Sequence, residues 1–273
     1  FIFTSHSLSL LEYAYEKNNK VIYLLDNITD IKVMEDSDIY KIKMYLANKV
    51  NADIYQNRCI PVFAEDNEAR MFIKSLFDYY GRKYGADFNK VKSLFHLVEA
   101  NISGDALKNI FKDNQLTRCT MRSICILDGD KKSDAELNYF MTALPGTESP
   151  EKMMFDYAIE LYKNDDEFWK EQTILALGYT RVYFRDQIKP DIDAISDKIE
   201  RLKAEAKSTK GVIRKENKDV FNKYNRFFEL IMIKWITEHP TEVTQFYKDL
   251  YKLFRKVAEF HDINTADWNC TEI

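Results

Sequence analysis

The stretch from about residue 57 to residue 163 constrains the fold most, because apolar runs of strand length alternate with amphipathic helical patterns. "RCIPVFAED" (58–66) reads as a strand that ends in acids. Asn67 to Tyr80 then places Ala69, Phe72, Ile73, Leu76 and Phe77 on one helical face. "SLFHLVEA" (93–100) is a second strand, "SGDALKNIFKD" (103–113) a helix, and "SICILDGD" (123–130) a third strand. "NYFMTALPG" (138–146) is another strand-like run closed by a Pro-Gly turn, and "SPEKMMFDYAIELYK" (149–163) is a helix with proline in its first turn. Alternation of this kind builds βαβ units. The expected class is α/β, a mostly parallel sheet flanked by helices and followed by an α-helical C-terminal region.

The flanks differ in texture. Residues 1–50 read as strand ("FIFTS"), a short helix from Ser7 to about Glu16, a strand "KVIYLL" (20–25) beside "ITDIKV" (28–33), and a helix over 35–50. Beyond about 165 the pattern is nearly all helical. One helix pair is expected over about 188–207 and 219–237, and Val243, Phe246, Tyr247, Leu250, Leu253, Phe254 and Val257 mark another helix. Segment 198–218 carries eight Lys or Arg against three Glu. With a net charge of −4 the chain is no polycation, so nucleic acid would have to meet a local basic patch, and this segment is the candidate for backbone contact. The alternative is an ordinary wet helix face behind Ile192, Ile195, Ile199 and Leu202. The four cysteines, Cys59, Cys119, Cys125 and Cys270, show no CxxC spacing or histidine pair, which fits reduced thiols and argues against zinc. No apolar run approaches the roughly 18 residues of a membrane span, and the start lacks a signal peptide. A cytoplasmic protein with no membrane partner is expected. Because the chain opens inside a strand without an initiator Met, it reads as part of a longer protein.

Three acids fall at strand ends: Glu65, Asp128 and Asp130. Parallel strands gather their carboxyl ends on one edge, so these groups can converge despite their sequence separation. Clustered carboxylates repel one another unless a cation lies between them. An oxygen-only set suits Mg²⁺ or Mn²⁺ rather than zinc. Asp-Gly-Asp is also a turn former. Gly129 is expected to permit a tight bend, with Lys131 and Lys132 facing a phosphate chain.

"VFAEDNEARMFIKSLF", "ISGDALKNI" and "ICILDGD" together resemble a Toprim domain, the fold of topoisomerases, bacterial primases and nucleases of the overcoming-lysogenisation-defect (OLD) type. The resemblance implies that Glu65, Asp128 and Asp130 bind Mg²⁺. "FIFTSHSLSLLEYA" resembles the tail of an ABC-type ATPase domain, with His6 matching the histidine that contacts the nucleotide γ-phosphate. That order is found in OLD-family ATP-dependent endonucleases. It implies an ATPase tail at 1–50, a Toprim catalytic domain at 51–165 and a helical domain at 166–273.

The family further implies Mg²⁺-dependent endonuclease or nickase activity on DNA (or RNA), a role in antiphage defence with a partner from the same system, and homo-oligomers formed through the ATPase part. ATP would bind in an upstream domain that this chain does not contain. The chain departs from the family where Asp66 replaces a glycine and Ala69 replaces an acid. Asp66 and Glu68 are the substitutes, with Glu68 preferred as a metal ligand. The alternative is that either acid simply complements the helix N-terminus. Lys234, in "IMIKWITEH", matches the family's phosphate-steadying lysine, against the alternative of a salt-bridged or snorkelling side chain. Glu151 is a fourth acid or a dipole-compensating residue. His96, His239 and His261 have no partner at ligand spacing. A topoisomerase- or primase-like reaction lacks a tyrosine nucleophile context and a zinc module. A second expectation is a degenerate Toprim scaffold that binds a protein or nucleic acid within an ATPase complex.

Overall fold

The computed structural model describes residues 23–27, 30–33, 59–113, 122–205 and 210–269. Tyr23–Asn27 (β1) and Asp30–Val33 (β2) pair antiparallel as a two-stranded hairpin. His6, Cys119 and Cys270 lie outside the described residues.

Four strands, β3 (Ile60–Ala64), β4 (Phe95–Leu97), β5 (Ile124–Leu127) and β6 (Met141–Ala143), form one parallel sheet in the order β4-β3-β5-β6. Helices α1 (Asn67–Tyr84) and α2 (Ala86–Lys92) connect β3 to β4, and α3 (Gly104–Lys112) connects β4 to β5. The β5–β6 crossover uses 3₁₀ turns over Gly129–Asp134 and Leu137–Tyr139. The strand expected over 138–146 is therefore shorter. Tyr139 donates its N–H to the Glu136 carbonyl at 2.9 Å and Phe140 is left-handed at φ 59°, so extended backbone resumes only at Met141.

The strands read as unbroken apolar runs because both sheet faces are covered. Ile60, Val62, Ala64, Ile124 and Ile126 face one core, shared with α1 and the C-terminal helices. Phe63, Cys125 and Leu127 face the other, where Leu107, Ile110 and Phe111 of α3 pack. Period-two alternation along each strand sends neighbours to opposite sides.

Helix α4 (Pro150–Lys163) follows β6. After α5 (Gln172–Ala176), a helical turn Arg181–Tyr183 and a π turn Phe184–Ile188 lead into α6 (Lys189–Ala204). Then come α7 (Lys210–Lys223), α8 (Asn225–Glu238) and α9 (Pro240–Val257). The single helix expected at 219–237 is divided at Tyr224, whose φ −118° and ψ 31° interrupt the helical path. One apolar cluster runs from the sheet through α1 into α8 and α9. Phe72 of α1 meets Trp235 of α8 edge-on at 5.7 Å, and the Tyr80 hydroxyl donates to the Val243 carbonyl of α9 at 2.6 Å. Among the described residues no helix is long and apolar enough to cross a membrane.

Candidate metal centre

The chain leaves β3 toward β4 and leaves β5 toward β6, so the carboxyl ends of the adjacent strands β3 and β5 flank a switch point. Such points open a crevice in parallel sheets. Glu65 and Asp66 follow β3, and Asp128 follows β5. The N-termini of α1, α3 and α4 meet the same edge. Asp66 caps α1, its Oδ1 accepting the Ala69 N–H at 3.0 Å. Glu68 lies in the first turn of α1 and Glu151 in the first turn of α4, just after Pro150. Helix N-termini carry partial positive charge, which favours acids there.

Glu65 is buried and held by several donors. Its Oε2 accepts the Gly104 N–H of α3 at 2.8 Å, and its Oε1 lies 3.4 Å from the Asp128 N–H. Lys131 Nζ and Arg214 Nη2 approach Oε2 at 3.6 and 3.5 Å. The loop that delivers Gly104 is fastened locally. Ile102 donates to the Glu65 carbonyl, and Arg70 donates to the Ala100 carbonyl and Asn101 Oδ1, all at 2.9 Å. A Cβ on Gly104 would fall 2.1 Å from Glu65 Oε1, so only glycine admits this contact.

The oxygens that converge belong to Asp66, Glu68 and Glu151, one from each lying within 4.8 Å of the others. Trans ligands on a small cation at about 2.1 Å lie about 4.2 Å apart, so small side-chain rotations would close the set. Of the four ligands expected from the sequence, Glu68 belongs to this group, while Glu65 and Asp128 border it. Asp130 is exposed on the first 3₁₀ turn. Asp66 and Glu151 join Glu68 because the N-termini of α1 and α4 bring them to the same edge, beside buried Asp128.

Among the described residues, two oxygens are buried without a partner, Asp128 Oδ1 and Glu151 Oε2. Asp128 is 5% exposed and Glu151 3%. Burial pushes the Asp128 carboxyl well above its ordinary value, and the charges of Glu65, Asp66, Glu151 and Asp130 push it further. Burial, with Asp66 beside it, raises Glu151 to about 7. Asp66 moves the other way. Burial raises it, but the hydrogen bond and charge of Lys218, the Ala69 N–H and Arg214 outweigh that effect and hold it below the usual carboxylate range. Buried acceptors without donors, in a set containing only oxygen, fit a hard divalent cation.

The opposing charge comes from α7. Arg214, Lys218 and Asn222 recur every four residues and so share one helix face. Lys218 hydrogen-bonds Asp66 and lies 3.7 Å from Glu68, Asn222 donates to Glu68 at 2.7 Å, and Arg214 lies 3.7 Å from Asp66. Arg214 and Lys218 belong to the basic segment 198–218, and their four-residue spacing was the available sign that they act together. Lys234 follows its salt-bridged alternative, held by Glu238 at 2.7 Å and Asp166 at 3.4 Å. Lys131 turns back to Glu65 and Asp105, both at 3.6 Å. Gly129 serves close backbone approach rather than a bend, since a Cβ there would lie 2.9 Å from the Glu148 carbonyl oxygen. His239 and His261 bond the carbonyls of Trp235 and Arg122.

Fold and site together define an α/β protein with a carboxylate centre at the switch point of a parallel sheet. No protein family, characterised protein or solved structure matches the chain.

Proposed function

We propose that this chain is the nuclease module of an OLD-type, ATPase-coupled protein, with a divalent-cation centre that hydrolyses nucleic-acid phosphodiesters. The observation that carries the proposal is the pair of buried, unpartnered oxygens, Asp128 Oδ1 and Glu151 Oε2, beside the converging carboxylates of Asp66 and Glu68. Those four side chains would hold Mg²⁺ or Mn²⁺. When bound, such a cation stabilises charge on a phosphate and lowers the pKa of a coordinated water. Glu65, tied to the α3 N-terminus and close to the Asp128 N–H, orients the strand ends. Arg214 and Lys218 are the cationic side chains placed to meet the phosphate backbone, the part sought at Lys234 from the sequence. DNA is the proposed substrate, with RNA as the variant to compare. The resemblance adds the rest of the reading: ATP at an upstream domain, assembly through that domain, and an antiphage role.

The test is supercoiled-plasmid nicking by the purified chain with Mg²⁺ or Mn²⁺. Metal-dependent nicking is expected to fall by about 10² or more in Asp128→Asn, the usual scale for removing one preorganised charge-stabilising group. Nicking that is metal-independent, or unchanged in this variant, would sink the assignment.

A second reading is a degenerate Toprim scaffold without catalysis. It is favoured by the α7 contacts, because Lys218 and Arg214 already supply positive charge to Asp66 and Glu68. This reading expects no divalent-cation binding by either the wild type or its α7 variants.

A further inference from the structure

Helix α7 meets the acidic centre in a way that substrate binding alone does not explain. Asp66 Oδ1 is used by the Ala69 N–H, and its Oδ2 is taken by Lys218. Glu68 Oε1 accepts from Asn222, and its Oε2 faces the same Lys218 ammonium at 3.7 Å. Two of the three converging carboxylates are therefore already engaged by one helix face. An ammonium and a divalent cation on the same carboxylate oxygens would repel one another strongly at that range. The third, Glu151, keeps Oε2 buried and without a partner.

The way α7 is anchored makes exchange feasible. Between Gly211 and Lys223 only Phe221 is buried, stacked on Phe228 at 5.0 Å. The two turns before it are held by charge: Arg214, whose side chain is 48% exposed, and Lys218, 25% exposed, reach the acids at the sheet edge, and Glu216 pairs with Lys198 of α6 at 2.6 Å. Partly exposed ion pairs are weak and depend on salt, whereas an aromatic stack in the core is not easily undone. The helix is thus pinned at its C-terminal end and charge-held over its N-terminal turns.

We propose that α7 and a divalent cation are alternative occupants of the Asp66–Glu68–Glu151 centre. Metal binding displaces Lys218 and Arg214 from the carboxylates, which frees both cations for a phosphodiester backbone. The proposal rests on the metal-centre reading above and assigns its regulation. Without metal the chain neutralises its own site and withholds the residues that would grip nucleic acid. With metal, acid and base faces part. Linkage makes the effect reciprocal: metal binding weakens α7 docking by the same factor by which α7 docking weakens metal binding.

Calorimetric titration of Mn²⁺ into the wild type, Lys218→Met and Asn222→Ala tests the exchange, together with amide hydrogen exchange of the wild type with and without Mn²⁺. Circular dichroism checks that each variant is folded. Lys218→Met is expected to tighten Mn²⁺ binding about tenfold, within the usual range of coupling between sites. Asn222→Ala, which removes a hydrogen bond but no charge, is expected to change it by less. Mn²⁺ is expected to speed exchange across Lys210–Lys223 and to slow it at the start of α1 and α4. Equal Mn²⁺ affinity in wild type and Lys218→Met, or protection of α7 by Mn²⁺, overturns the exchange while leaving the metal centre standing. No Mn²⁺ binding in any of the proteins overturns both.

Discussion

Glu151→Gln is expected to raise thermal stability in metal-free buffer at pH 8 and to change it little at pH 4. Glu151 is buried with one oxygen unpartnered, and burial with Asp66 beside it raises its pKa from 4.5 to about 7. The folded chain therefore holds this proton more tightly than the unfolded chain does. The stability linked to the proton is complete below pH 4.5 and is lost as pH rises through about 7. At about 1.4 kcal/mol for each pH unit, the loss comes to about 3 kcal/mol. Glutamine keeps the shape, cannot ionise, and offers an N–H₂ group to the neighbouring carboxylates. For a domain of this size, that corresponds to a gain in Tm of roughly 6 °C or more at pH 8. Thermal denaturation followed by circular dichroism between pH 4 and 8, with a chelator present, measures it. A Tm difference that is the same at both ends of the range would refute the reasoning. With Mn²⁺ at about a hundred times its dissociation constant, the wild type gains about 2.7 kcal/mol, and the variant is expected to lose most of that gain.

Three further outcomes follow from the packing. Gly104→Ala places a Cβ 2.1 Å from Glu65 Oε1 and 2.5 Å from Lys131 Nζ, and a loss of about 2 kcal/mol is expected from overpacking; a neutral urea midpoint would contradict it. Tyr80→Phe removes the hydroxyl that joins α1 to the Val243 carbonyl, a loss of about 1 kcal/mol visible as a lower urea midpoint at unchanged slope. Lys234→Met breaks the pairs with Glu238 and Asp166. Burial raises the Glu238 carboxyl, but Lys234 and the Tyr157 hydroxyl outweigh it and hold it low. The cost of Lys234→Met is therefore expected above pH 4.5 and to fade as pH falls below it, remaining under about 1 kcal/mol; a cost that persists at pH 3 would count against the pairing.

Much of the architecture is written locally. Strand period, helix period, Pro150 and the capping acids act over a few residues, so the order of elements from Ile60 to Lys163 is legible in the sequence. Local pattern likewise places Asp66 at a helix cap and Glu68 and Glu151 in first helical turns, where each has an ordinary explanation. Whether three such acids share one site depends on how α1 and α4 approach, and that is set by the packing of β3, β5 and their helices. Of the two acids in Asp-Gly-Asp, Asp128 is buried at the strand end whereas Asp130 is exposed on the 3₁₀ turn, a difference that spacing alone does not show. Sequence also marks 198–218 as basic without saying what the charge faces. Only the tertiary fold returns Arg214 and Lys218 to acids about 150 residues earlier in the chain. Local chemistry determined which groups were available, and long-range packing, driven by burial of both sheet faces, decided which of them meet.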